Sequence, residues 1–225
     1  MTIHAGIDIG SRTIKLVLLE NGQISKTVVV DTTYDPMAVC RDLLSSVDYQ
    51  GIIATGYGRR LFARDWPCDL VSEISAVGLG AWFLLNGCGT VLDVGGQDTK
   101  VVSLGAGGKL KKFVMNDRCA AGTGRFLEVM AGALSFTYSQ FAAAALSAPN
   151  AEKLNSMCTV FAESEVISLV AQGASREAIA LGIHESIATR TLSLMKGITL
   201  SDPIMFAGGG ARNPCLRRQI EAGPL

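Results

Sequence analysis

Between residues 6 and 31 the chain reads GIDIGSRTIKLVLLENGQISKTVVVD, three runs rich in β-branched and aliphatic residues separated by polar, glycine-containing breaks. DIGS interrupts the first pair of runs and NG the second, so the segment is predicted as strand, tight turn, strand, turn, strand. The pattern then changes period. PMAVCRDLLSSV (36 to 47) has helical spacing, GIIATG (51 to 56) reads as a buried strand, and EISAVGLGAWFLLN (73 to 86) reads as a helix stopped by Gly87. Further on, helices are predicted over 122–134, 137–147, 159–172 and 175–196, with an irregular connection at 147–156. A last apolar strand, IMFAGGG (204 to 210), leads into a short helix from Asn213.

The strand–turn–strand pattern occurs twice. VLDVGGQDTKVVSLGAGGKLKKFVMN (91 to 116) aligns without gaps on residues 6 to 31 at an offset of 85, with eight identities that include Asp8 with Asp93, Gly10 with Gly95, Lys15 with Lys100 and Gly22 with Gly107. An internal repeat of this kind governs architecture. The expected fold is α/β with two related halves, divided as residues 1–88 and 89–225.

Composition narrows the function. Formal net charge is zero and no basic block occurs, which gives a nucleic-acid partner no electrostatic support. The longest apolar run, AVGLGAWFLL at 76 to 85, falls well short of the ~20 residues a membrane helix requires, and the N-terminus has no signal-peptide pattern. The chain therefore reads as cytosolic, with no membrane role. In that setting its six cysteines, none in a CxxC, are expected as free thiols or metal ligands.

The two turns suit phosphate. A strand ending in Asp-x-Gly brings amides to a place where no Cβ blocks close approach, and the Asp is placed to hold Mg²⁺ through carboxylate and water oxygens. The third glycine cluster, Gly208–Gly210, ends a strand and opens a helix, a site where phosphate or adenosine can lie against backbone. Any one such turn is also compatible with an ordinary hairpin; three in this order with an internal repeat point to a nucleotide. The order resembles the actin-like (ribonuclease H-like) ATPase superfamily, which implies two mixed-sheet halves with a nucleotide cleft between them. The first phosphate motif would be Asp8 to Lys15, the second Asp93 to Lys100 and the adenosine motif Gly208, Gly209 and Gly210.

Two cysteines add a second theme. Cys119 precedes AAGTGRFLEVM and Cys158 precedes TVFAESEVISLV, so each stands at or just before a predicted helix N-terminus, where the helix dipole favours a thiolate or an anionic cluster. Each taken singly could also be a small buried hydrophobe. An iron–sulfur cluster commonly takes four thiolates, and a twofold dimer would supply them from two chains.

ATGYGR (54 to 59), EIS (73 to 75), DVGGQDTK (93 to 100), MNDRCAAGTGRFLE (115 to 128) and NSMCTVFAESEVISL (155 to 169) together resemble the activator component of 2-hydroxyacyl-CoA dehydratases, a family that also includes ATPase subunits of benzoyl-CoA reductase. The resemblance implies a homodimer with one four-iron four-sulfur cluster held by Cys119 and Cys158 of each subunit. It implies MgATP, and after turnover ADP, bound through Gly10, Ser11, Lys15, Gly95, Gly96, Gln97, Asp98, Gly122, Gly124 and Gly208–Gly210. Asp8 and Asp93 would place Mg²⁺ and the attacking water, with Gln97 beside them. The implied activity is ATP-driven transfer of a low-potential electron, received from ferredoxin or flavodoxin, to the dehydratase or a similar reductase. This chain departs from the family at Val77, where relatives usually carry a histidine, and at Arg12, where a small residue is common.

Other readings make different demands. A sugar kinase of the same superfamily would need a sugar-binding segment and a cleft aspartate, neither of which is evident, and would leave the two cysteines unexplained. A non-catalytic nucleotide-binding module is the third reading. Cys40, Cys68, Cys88 and Cys215 are expected to be structural or incidental and His4 and His184 to be ordinary surface or core residues, while Glu163 and Glu165 could orient the cluster loop or the nucleotide or, as first-turn glutamates, simply favour the helix dipole.

Overall fold

In a computed structural model, residues 2–116, 123–154 and 159–224 are described. Cys119, Gly122, Cys158 and the start of the helix predicted from 122 lie outside them. The described chain forms two compact units, Met1–Leu79 and Gly80–Leu225. Their boundary falls inside a helix, ahead of the 88/89 division expected from the repeat.

The first unit is built on strands β1 (Ile3–Ile9), β2 (Thr13–Glu20), β3 (Gln23–Asp31), β4 (Gly51–Thr55) and β5 (Asp69–Leu70), with helices α1 (Pro36–Leu44) and α2 (Arg59–Asp65). Sheet order is β3-β2-β1-β4-β5, antiparallel through the β1–β2–β3 meander and parallel from β1 to β4 and β4 to β5. Side chains alternate along these strands. Ala5, Ile7, Ile9, Ile14, Leu16, Leu18, Ile52 and Ala54 form one buried face with Met37, Cys40 and Leu44 of α1 and Phe62 of α2. α1 begins where Asp35 accepts from the Ala38 amide and Pro36 takes the first helical position. Neither α2 nor β5 is evident in the sequence pattern, because α2 follows a Gly-Tyr-Gly turn and anchors itself chiefly through Phe62, which stacks on Trp66 at 4.6 Å.

Helix α3 (Glu73–Leu84) spans the unit boundary. The second unit contains β6 (Thr90–Val94), β7 (Thr99–Leu104), β8 (Leu110–Asn116), α4 (Gly124–Ala133), α5 (Tyr138–Ser147), α6 (Thr159–Ala171), α7 (Arg176–Met195), β9 (Ile204–Ala207) and α8 (Pro214–Ala222). Sheet order is β8-β7-β6-β9. Every residue of β6 and β7 is buried, so this sheet is covered on both faces, with α4, α5, α7 and α8 contributing Phe126, Leu127, Phe141, Ile183, Ile187 and Leu216 to its core. Among the described residues no single helix is long and apolar enough to cross a membrane.

The repeat holds residue for residue in the first hairpin of each unit and slips in the third strand. Asp8 faces Lys15 and Asp93 faces Lys100. On the next ladder, however, Leu18 faces Lys26 whereas its counterpart Ser103 faces Lys112, one residue beyond the aligned Lys111. Both meanders carry an irregularity at the matching step, Leu18/Leu19 and Ser103/Leu104, and the 105–109 connection accommodates one more residue than its counterpart.

Candidate functional site

Each hairpin places an aspartate and a lysine directly opposite one another on antiparallel strands, which puts both side chains on the same sheet face. In the first unit Lys15 Nζ lies 2.7 Å from Asp8 Oδ2, with the lysine 44% and the aspartate 22% exposed. Asp8 Oδ1 is buried and has no hydrogen-bond partner among the described residues. An orphaned carboxylate oxygen beside a solvent-facing lysine suits a water or cation ligand, since burial without a partner is costly. The turn closes with the Gly10 amide donating to Thr13 O at 3.1 Å; Thr32 Oγ1 donates to Gly10 O at 2.8 Å and the Thr32 amide to Arg12 O at 2.9 Å.

In the second unit Lys100 is only 3% exposed and lies 2.6 Å from Asp98 Oδ1 and 3.8 Å from Asp93 Oδ2. Two carboxylates thus share one ammonium in a buried place, and carboxylate oxygens are the ligand type a Mg²⁺ ion takes. The turn closes with the Gly95 amide donating to Asp98 O at 2.8 Å. Its carbonyls point toward α4: the Gly124 amide donates to Gly95 O at 2.8 Å and the Arg125 amide to Gly96 O at 2.9 Å. Of the glycines expected to bind nucleotide, Gly95, Gly96 and Gly124 are thus brought together. Ser11 and Gly10 sit on the first turn, and Gln97 on the second.

Gly208 follows β9 with φ +80°. A Cβ there would run into Asp93 Oδ1 and the Val94 carbonyl, and one on Gly210 would meet Val94 Cβ at 2.6 Å. The first unit repeats this device at Gly56 and Gly58. Gly56 has φ +83°, a Cβ on it would run into Asp8 Oδ1 and the Ile9 carbonyl, and Gly58 packs on the Ile9 side chain. The strand registers agree: Asp8 is level with Thr55 and Asp93 with Ala207, each one residue before its left-handed glycine. Sequence reasoning from the ungapped repeat missed this second pair, because Gly56 and Gly208 are 152 positions apart rather than 85. A buried strand followed by Gly-x-Gly was the available signal. Gly209 has open space where a Cβ would stand.

The Gly208–Gly210 loop is anchored from beneath. Asn213 Oδ1 accepts from the Leu216 amide at 2.9 Å and so caps α8, while Asn213 Nδ2 lies 3.0 Å from His184 Nε2. His184 Nδ1 lies 2.7 Å from Ala180 O, which requires a proton on Nδ1 and leaves Nε2 to accept from Asn213. Burial pushes the His184 pKa down, against the opposing pull of its Ala180 and Asn213 bonds. The cysteines that the sequence assigned to structure behave accordingly. Burial raises the Cys40 and Cys215 thiols to about 11, far from nucleophilic.

Two meanders, each with an Asp–Lys turn and a left-handed glycine loop against the aspartate, constitute the duplicated actin-like ATPase fold. Comparison with solved structures supports that class directly. The fold matches component A of the Acidaminococcus fermentans (R)-2-hydroxyglutaryl-CoA dehydratase with a TM-score of 0.89 at 35% identity, covering 98% of this chain and 88% of that one. It matches the activator of the 2-hydroxyisocaproyl-CoA dehydratase from Clostridium difficile with bound ADPNP with a TM-score of 0.88 at 38% identity, covering 97% and 84%. In sequence, the chain is 41% identical over 224 residues to the 2-hydroxyisocaproyl-CoA dehydratase activator of Clostridioides difficile, spanning 96% of this chain and 84% of the relative. Residues 5–222 match the model of the BadF/BadG/BcrA/BcrD ATPase family, and the chain belongs to that family.

Proposed function

We propose that this chain is an ATP-dependent reductive activator of a 2-hydroxyacyl-CoA dehydratase or a related cluster-containing reductase. The observation that carries the reading is the match, over nearly its whole length, to a relative named as a dehydratase activator. In this reading the nucleotide's phosphates are held by backbone amides of Gly10, Ser11, Gly95, Gly96 and Gln97, with Lys15 neutralising their charge. Gly208, Gly209 and Gly210 line the adenosine side, and Gly122 and Gly124 lie near the phosphates. Asp8, through its buried Oδ1, and Asp93 place Mg²⁺ and the attacking water, with Asp98 on the second turn among the nucleotide-binding residues. Gln97 orients the attacking water. Bound Mg²⁺ would neutralise charge on the transferring phosphoryl group.

Cys119 and Cys158, ahead of α4 and α6 in the sequence, are assigned to a four-iron four-sulfur cluster shared by two copies of the chain. When bound, that cluster supplies the low-potential electron, which ferredoxin or flavodoxin replenishes in the cytoplasm. Nucleotide can drive the transfer only through different affinities for two conformations.

Iron, acid-labile sulfide and molar mass of anaerobically purified protein test this assignment. About four irons for each dimer, lost in Cys119→Ser, are expected from the four-thiolate ligand set. A colourless monomer without iron after anaerobic reconstitution contradicts it and favours a kinase-like or purely nucleotide-binding member of the superfamily.

A further inference from the structure

The start of α4 has an unusual partner. The first amides of a helix lack intrahelical acceptors, and side-chain caps commonly supply them. Thr123, the N-cap of α4, makes no side-chain cap. The second turn supplies acceptors instead, through Gly95 O to Gly124 and Gly96 O to Arg125.

That exchange also orients the turn. In a trans peptide the C=O and the following N–H point in opposite directions, so holding the Gly95 and Gly96 carbonyls toward α4 turns the Gly96 and Gln97 amides away from it. Neither of these amides donates to another group among the described residues. The first turn is held differently. Its matching carbonyl, Gly10 O, accepts from Thr32 Oγ1 just after β3 of the same sheet rather than from a helix amide.

We infer that the Gly124 and Arg125 amides are positioning groups that aim the Gly96 and Gln97 amides at the nucleotide and make the second turn and the start of α4 move as one piece. The inference rests on the nucleotide-binding reading proposed above. It locates a mechanical link between nucleotide and the cysteine-bearing segment on the second turn, since α4 begins five residues after Cys119.

Gly124→Pro isolates the link. Gly124 is the first residue of α4, where proline is well tolerated, and Thr123 has the extended backbone (φ −120°, ψ 167°) that a residue before proline adopts. The substitution removes one N–H and puts a ring carbon where that hydrogen met Gly95 O, with Cβ 3.2 Å from the same oxygen, so the turn must part from α4 while the helix can continue. Isothermal titration with MgADPNP and amide hydrogen exchange across α4 are the readouts, with circular dichroism confirming retained helix. The expected result is that wild type binds ADPNP and exchange across Gly124–Ala133 slows on binding, whereas Gly124→Pro binds about tenfold more weakly, as for loss of ~1.4 kcal/mol, and shows no slowing in α4. Equal affinity and equal slowing in the variant overturn the inference. The wild type alone also decides if the variant does not fold: bound ADPNP with no change in α4 exchange overturns the link while leaving nucleotide binding in place. Absence of ADPNP binding by wild type overturns the nucleotide reading itself, and the inference with it.

Discussion

Lys15 and Lys100 stand at matching positions of the two hairpins, yet one is 44% exposed and the other 3%. The difference comes from the sheets beneath them. The first sheet shows alternating burial and keeps one face partly open, whereas β6 and β7 are buried along their whole length. Duplication has therefore kept the backbone device, an Asp–Lys pair backed by a left-handed glycine, and changed its electrostatics. The first turn retains an orphaned carboxylate oxygen next to an exposed cation, suited to exchanging ligands. The second encloses its lysine between two carboxylates and is hydrogen-bonded to a helix, suited to holding its shape.

The sharpest way to break this contrast is to remove each lysine. Lys100→Met leaves Asp93 and Asp98 buried without their shared cation and should destabilise the protein by about 3–5 kcal/mol. Lys15→Met, at an exposed pair, should cost no more than ~1 kcal/mol while weakening nucleotide binding. Urea unfolding of the two variants checks this, and equal losses would mean that the two turns are electrostatically alike.

Next come the glycines behind the aspartates. Gly56→Ala and Gly208→Ala force a Cβ into a positive-φ site and against a carboxylate, for an expected cost of about 1–3 kcal/mol each. Gly209→Ala, with open space around it, should stay within ~0.5 kcal/mol. Thermal melts of the three variants are sufficient. A neutral Gly56→Ala would show that the first unit's loop is not the counterpart of Gly208.

The smallest expected effect separates the loops by pH. The Gly56 carbonyl accepts from Arg59 Nη1 at 2.8 Å, whereas the Gly208–Gly210 loop leans on His184 through Asn213. His184 has its pKa lowered on folding, so its contribution to stability is complete above the unfolded value of about 6.5 and is lost as pH falls toward the folded one. The slope from this one group is at most about 1.4 kcal/mol for each pH unit. Urea midpoints at pH 7.5 and 5.0 should fall further apart in wild type than in His184→Gln; equal spacing would remove the histidine from the account.

Which parts of this were legible in sequence follows from the range of each signal. The β1–β2 and β6–β7 hairpins were, because Asp, Gly and Lys recur at fixed short separations that a hairpin turns directly into contacts. The third strands were legible as strands but not in register, since the longer 105–109 connection displaces Lys111 from the position its identity with Lys26 implied. Helix α2 was hidden behind its glycine turn. The partnership of Gly56 with Gly208 was masked by the helices α4 to α7 that separate the second pair of strands. The Gly124–Gly95 bond was beyond reach for a different reason: a backbone-to-backbone contact leaves only a glycine as its trace, and the chain has 25 of them. Ser11, Gln97 and Asp98 lie on the two turns and Lys15 on β2 just beyond the first, all within motifs, while Thr32, which holds the first turn's carbonyl, carried no motif at all.

The most direct test of the central claim, that ATP turnover drives the electron outward, is a stopped-flow measurement on iron-loaded protein reduced anaerobically and mixed with an excess of a one-electron acceptor or of a 2-hydroxyacyl-CoA dehydratase. Return of the oxidised iron–sulfur absorbance at least about tenfold faster with MgATP than with MgADP, equivalent to ~1.4 kcal/mol of barrier, is the predicted result. The same rate with MgATP, with MgADP and without nucleotide would contradict it.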